Sequence, residues 1–325
     1  MLANYWNLGG KLACLCIVLV PLALAQPAEA KPVLTLLPKN TTPIAINDSG
    51  VVVGRDEAGM AFVRTPDGRM TRFKAESLAA ATYSITVPTA INSSGAVTGQ
   101  FWDYKKLVHG FVRAADGTVT VFDVPNAGHA SGFETFPYSV STEGVITGYY
   151  KGYNGLAHGF VRAVDGTFTS FDVPKAVQTY AMAANDKGEA TGYWLGYTCY
   201  CGFVRSARGE ITTFDVQDST VTRPVAIDSN GTVTGYYDDQ QNGVHGFVRQ
   251  RDGEITTFDA PSVALAIADG AVTGYSHYVN TGFVRHKNGR VRAISANSRV
   301  FPLGINTHGV VVGYLANQYG FIWTP

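Results

Sequence analysis

One string recurs along this chain and constrains its fold more than any other feature. A glycine, three mostly apolar residues and a second glycine appear seven times, ending at Gly54, Gly99, Gly148, Gly192, Gly235, Gly274 and Gly313. The six intervals between Gly54 and Gly313 average about 43 residues, the length of one four-stranded propeller blade. One helix-rich domain or a sandwich has no reason to keep such a period. The expected fold is therefore all-β: a seven-bladed β-propeller.

Each copy reads as four short strands. In the second copy, Pro88-Thr89-Ala90-Ile91 is the first strand and Asn92-Ser93-Ser94-Gly95 a turn. There the Asn side chain can cap its own backbone and the Gly can take positive φ. Ala96 to Phe101 is the second strand and a variable loop follows. His109 to Arg113 is the third strand, Asp116-Gly117 a hairpin turn, and Thr118 to Asp123 the fourth strand. The third position of the first strand is always small: Ala45, Ala90, Ser139, Ala183, Ala226, Ala266 and Gly304. Alanine is a poor strand former, so crowding around a central axis explains it better than propensity. Phe111 and Val112 point to opposite faces, as do Val121 and Phe122, so both faces of each sheet are expected to be covered.

The two ends complete one another. The last copy stops at Pro325 without a fourth strand, and Val33 to Pro38 resembles the missing one. The N-terminal strand is expected to close the ring and remove its free edge.

Before that strand, Lys11 precedes an apolar run from Leu12 to Ala25. The run is short for a membrane span but suits a signal peptide, with small-residue cleavage sites after residue 25 or, alternatively, residue 30. Residues 31–325 are then a single propeller domain, secreted or periplasmic, in a bacterial-type cell, with no membrane span left. The formal net charge is zero, which removes the usual electrostatic reason to expect nucleic acid as a partner. A monomer is expected. Cys14 and Cys16 leave with the leader. Cys199 and Cys201 remain, and three states stand open: a mutual disulfide strained by the single intervening residue, free thiols, or a link to a partner. No metal site or cofactor is expected, because this pair alone offers too few ligands.

The repeats resemble the HAF-repeat family of extracellular proteins. Its namesake His-Ala-Phe is His-Gly-Phe here, at His109–Phe111, His158–Phe160 and His245–Phe247. The Ile-Asn-x-x-Gly-x-x-x-Gly-Tyr pattern is matched best from Ile305 to Tyr314. The resemblance covers Val33 to Pro325 and implies export and repetition; it carries over no activity and no catalytic residue.

In such a blade the second-to-third-strand loops and the blade connections emerge on one side, and the uniform Asn and Asp-Gly turns on the other. Function usually occupies the irregular face of a regular scaffold. That face is aromatic: Trp102, Tyr104, Tyr153, Trp194, Tyr197, Tyr278 and Tyr319 are the candidate ligand-binding residues, with Tyr150, Tyr200 and Tyr237 beside them. Rigid amphipathic rings suit carbohydrate or peptide; packing of loop on blade is the competing explanation.

Three His–Asp pairs stand 14 residues apart: His109 with Asp123, His158 with Asp172, and His245 with Asp259. A three-residue hairpin places each pair face to face, whereas a two-residue turn shifts the register by one. The structural reading is favoured over acid–base catalysis, because an active site is rarely copied around a ring. Six arginines follow Phe-Val, from Arg64 to Arg285, with stems expected over apolar strand edges and heads near turn carboxylates such as Asp116. Nucleophile elbows, phosphate loops and zinc helices are absent from the sequence.

The expected function is a non-catalytic binding or interaction scaffold. A secreted polysaccharide lyase or hydrolase is the first alternative. Its site is expected in the irregular stretch from Asn126 to Ser141, with His129, Glu134 and Tyr138. A structural envelope or matrix protein is the second.

Overall fold

The structure, a computed structural model, describes residues 31–75, 84–125, 127, 134–239, 241, 243–276 and 280–325, with the backbone alone at 259–261. The leader therefore lies outside the described residues, as do His129 and Tyr278 and the side chain of Asp259. Among the described residues no helix is long and apolar enough to cross a membrane.

The fold is an all-β propeller. Consecutive strands pair antiparallel, as Ile85–Ile91, Val97–Trp102, Val108–Arg113 and Val119–Phe122 do in the second repeat. The first strands of neighbouring repeats lie side by side, and Val300–Ile305 of the last repeat packs against Thr41–Ile46 of the first. The N-terminal strand Val33–Lys39 pairs antiparallel with the last, Tyr319–Thr324, with Leu34 opposite Trp323.

Counted as hydrogen-bonded sheets, the strands form five, not the seven separate sheets expected: four of four strands and one of eleven. The physical reason is local. In the eleven-stranded sheet, a single parallel bridge, Tyr200 to Val221, carries the pairing from the fourth repeat into the fifth. One unbroken strand, Ile255–Ala268, then serves as the fourth strand of the fifth repeat and the first of the sixth. The connection there is too short to break the ladder.

The recurring glycines follow from this geometry. Gly95 takes φ +86° in its turn, a region L side chains rarely adopt. Gly148 lies where the first strand bulges between Pro137 and Ser139, and a Cβ there would overlap the carbonyl oxygen of Phe136. The bulge leaves one additional first-strand residue unpaired in every repeat: Ile44, Thr89, Tyr138, Met182, Val225, Leu265 and Leu303. The small third position is explained at Gly304, where a Cβ would come within 3.2 Å of Ala45 Cα in the adjoining first strand.

Polar links tie repeat to repeat. Asn92 Oδ1 accepts the Ala96 N–H at 2.8 Å within its own turn, while its Nδ2 donates to Ser141 O at 2.7 Å in the next. Asn47 donates likewise to Asn92 O, Asn185 to Asp228 O, and Asn306 to Asn47 O across 259 residues of chain. Buried Thr86, Thr135, Thr179 and Thr222 each accept a backbone N–H from the end of the preceding repeat, at 3.0–3.2 Å. Fully buried Phe62, Phe111, Phe160, Phe203, Phe247 and Phe321 fill the space between sheets.

The strand arginines have a different partner from the one expected. Arg113, Arg205, Arg249 and Arg285 lay their guanidinium groups 4.9–5.1 Å from Phe73, Phe171, Phe214 and Phe258 of the preceding repeat. Arg113 also donates to the Ala114 carbonyl rather than pairing with a turn carboxylate. The turn aspartates are engaged locally, Asp116 by the Thr118 N–H at 2.8 Å.

Candidate functional site

The first two strands of each repeat present one facing pair beside the axis, just past the second glycine. In order these are Thr42–Arg55, Val87–Gln100, Phe136–Tyr149, Tyr180–Tyr193, Arg223–Tyr236, Val263–Tyr275 and Phe301–Tyr314. From the third repeat onward these side chains are nearly all aromatic, and they touch across repeat boundaries. Phe136 stacks on Tyr149 at 4.8 Å, Tyr149 meets Tyr180 edge-on at 4.9 Å, and Tyr180 stacks on Tyr193 at 4.7 Å. Arg223 continues the series, 5.2 Å from the Tyr193 ring and hydrogen-bonded to the Tyr236 hydroxyl at 3.3 Å. Tyr275, Phe301 and Tyr314 form a further run.

Packing the phenols together withdraws them from water. Burial pushes Tyr138 and, more strongly, Tyr149 above the ordinary phenol value. Burial also pushes Tyr193 up to about 12, against the opposing pull of Arg223.

The arc is interrupted at the first two repeats, where Arg55 and Gln100 stand in the tyrosine position and Thr42 and Val87 oppose them. A cleft of about 960 Å³ opens there on the variable-loop side, lined by Arg55, Val87, Trp102, Asp103, Tyr104, Lys106 and Tyr314 among others. A second cleft of about 520 Å³ shares Thr42, Arg55, Ile85 and Tyr314 with it and extends to Glu57, Lys74 and Gln318. Arg55, Tyr104 and Lys106 are exposed and Trp102 is half-buried.

The candidate aromatic residues are thus placed differently from one another. Trp102 and Tyr104 line the larger cleft. Tyr153 and Tyr197 stand out in solvent, 74% and 96% exposed, on other loops. Trp194 is half-buried against Val173, Ala181 and Phe203. Tyr319 packs partly on the cluster around Phe321 and Trp323. Tyr150 is buried beneath His158 and Tyr237 stacks on His245. Sequence reasoning did not single out Arg55, Gln100 or Tyr314. The signal was present in the residue that follows the second glycine, tyrosine in five copies, Arg55 and Gln100 in the other two.

His109 Nδ1 lies 3.0 Å from both oxygens of Asp123, and its Nε2 lies 3.7 Å from Asp103. The hydrogen bond to Asp123 raises the His109 pKa above its ordinary value, with burial opposing. Asp103 Oδ1 in turn accepts the N–H groups of Lys105 and Leu107 at 2.8 Å. The imidazole so joins the fourth strand to the base of the variable loop. His158 reaches Asp172 at 2.9 Å, and His245 Nε2 lies 3.5 Å from the loop carboxylate Asp239. Cys201 occupies the histidine place in the fourth repeat, 3.5 Å from Asp215, and is joined to Cys199 as a disulfide with Cα atoms 5.6 Å apart. The two sulfurs and an Asp215 oxygen lie within 4.8 Å of one another, so this is the place where a metal-ligating set is assembled among the described residues. With both sulfurs in a disulfide, neither is a thiolate ligand.

No protein-family model and no curated protein matches the chain. Solved structures do. A catalytically inactive histidine-to-alanine variant of virginiamycin B lyase from Staphylococcus aureus, with quinupristin, aligns over 91% of this chain and 100% of its own. The TM-score is 0.63 and the identity 18%. The selenomethionine form of that lyase gives 0.64 at 16% identity, over 91% of this chain and 100% of that one. The Dos1 propeller gives 0.55 at 8% identity, over 88% of this chain and 93% of that one. At such identities the likeness is one of fold, and the fold is a propeller.

Proposed function

We propose that the chain is an exported seven-bladed propeller, closed by its N-terminal strand, that works as a non-catalytic binding scaffold for carbohydrate or peptide. The eleven-stranded sheet supplies three of the seven blades in this reading, since it carries three copies of the repeat. Export rests on the apolar run after Lys11, and kinship with HAF-repeat proteins on the His-Gly-Phe strings.

The observation that carries the binding site is the break in the aromatic arc. Five repeats fill the axial position with a tyrosine; at the other two a cleft of about 960 Å³ opens between Trp102, Tyr104 and Tyr314. Clefts of this size with a few polar groups among aromatic walls are the usual form of a binding site. The lyase among the structural neighbours loses activity with one histidine. Among the described residues that line the cleft there is no histidine, which supports binding over turnover. The test is an array of polysaccharides and peptides probed with the parent and with Trp102→Ala and Tyr104→Ala variants. Specific binding by the parent that both variants lose supports the reading; binding that neither variant changes refutes it.

A further inference from the structure

The acids and bases around the cleft are in different states. Asp56 is paired with Arg72 Nε at 2.8 Å and accepts the N–H groups of Ala58 and Met60. Asp103 holds its own loop and lies beside His109. Glu57 accepts from Asn40 Nδ2. Arg55, Lys74 and Lys106 make no side-chain hydrogen bond or ion pair among the described residues, and all three line one cleft or the other. Three cations without an ion pair thus line the two clefts, alongside carboxylates that are each held by hydrogen bonds.

Arg55 is the most telling of the three. It holds an axial position that five other repeats give to tyrosine, and it is exposed at the junction where the two clefts meet. A guanidinium offers a planar fork matched to a carboxylate, and a charge-assisted pair of this kind is among the strongest polar contacts available. Beside it stand Trp102 and Tyr104, whose flat faces suit the C–H face of a pyranose ring. The clefts share Thr42, Arg55, Ile85 and Tyr314 as lining residues, a proximity that suits a chain reaching both rather than a compact molecule.

We infer that the ligand is an acidic polysaccharide: a uronate chain whose carboxylate pairs with Arg55, with Lys74 and Lys106 nearby and a sugar ring on Trp102 or Tyr104. The inference rests on the reading that this cleft is the binding site. The chain is formally neutral overall, so the attraction is local to the cleft rather than a property of the whole surface.

The experiment is calorimetric titration of the purified mature chain. The probes are oligogalacturonate, its carboxyl-reduced counterpart, a neutral cello-oligosaccharide and an acidic peptide. Oligogalacturonate should bind, and more weakly as salt rises. Carboxyl reduction and Arg55→Ala should each cost about tenfold or more in affinity, the scale of a lost charged hydrogen bond. Arg55→Lys should recover part of the loss. Arg55 is exposed, so the variant should fold, which an unchanged melting temperature confirms. Equal affinity for the reduced sugar, or no effect of Arg55→Ala, overturns the inference. If the neutral sugar or the peptide binds instead, and Trp102→Ala or Tyr104→Ala abolishes it, the inference fails while the site stands. If no probe binds the parent, both fail.

Discussion

Two arcs of the same propeller answer one structural problem in different ways. At the third and fourth repeats the axial positions hold Phe136, Tyr138, Tyr149, Tyr180 and Tyr193, stacked or edge-on at 4.7–5.7 Å. At the first two repeats the same positions hold Arg55 and Gln100, and space opens beside them. The strands, turns and bulges are alike in both arcs; the side chain after the second glycine changes, and so does the one facing it, Thr42 and Val87 against Phe136 and Tyr180. A repeat scaffold keeps its backbone plan by its glycines and asparagines, and is free to vary what it presents at the axis. The filled arc contributes stability through aromatic contact, while the open arc gives up that contact and gains a cleft.

The largest effect tests what both arcs depend on. Removing Val33 to Pro38 strips the partner strand from Tyr319–Thr324 and exposes its edge. The melting temperature should fall by about 10 °C or more, since a shared edge stabilises both arcs. An unchanged melting temperature contradicts closure. Next comes the contrast itself. Tyr149→Ala removes a ring with contacts to Phe136, Tyr138 and Tyr180 and should cost ~3 kcal/mol in denaturant unfolding, as buried aromatic truncations do. Gln100→Ala, at the equivalent place in the open arc, should stay within about 0.5 kcal/mol. Gln100 Oε1 is buried with no hydrogen-bond partner among the described residues, so its loss forfeits little. Equal costs at the two positions would remove the distinction between the arcs.

A smaller effect is expected at the rim. The bond to Asp123 raises the His109 pKa in the folded state. Its stabilisation is therefore full below the unfolded imidazole value and is lost as pH rises through the raised folded value. His109→Gln should lower the melting temperature by about 2–4 °C under acid conditions, and the gap should close toward alkaline pH. A gap that widens with pH would reverse the assignment. The smallest signal is spectroscopic. In an alkaline absorbance titration one phenol, Tyr193, should ionise near 12, and Tyr193→Phe should delete that step.

Much of this was legible from residues alone. The glycine string announced the repeat, the short last copy pointed to the N-terminal strand, and the His–Asp spacing gave a facing pair that the structure joins at His109 and His158. Other features were not. Unbroken pairing along Ile255–Ala268 depends on how a short connection bends, which composition does not report. Local spacing points the strand arginines toward carboxylates within their own turns; their partners are phenylalanines one repeat away, a contact only the stacking of sheets creates. The axial position is marked in the sequence by a single residue after the second glycine, a weaker signal than the variable loops. Tyr150 and Tyr237, next in sequence to the axial tyrosines, point the other way and pack on histidines. In a strand, one residue's shift changes the face.

The most direct test sets loop aromatics of the open arc against exposed aromatics elsewhere. Binding of the array-selected ligand should be measured for the parent, for Trp102→Ala with Tyr104→Ala, and for Tyr153→Ala with Tyr197→Ala. The first pair of substitutions should abolish binding and the second leave it unchanged, with all three proteins melting alike. Binding lost with Tyr153 and Tyr197 and kept without Trp102 and Tyr104 would contradict it.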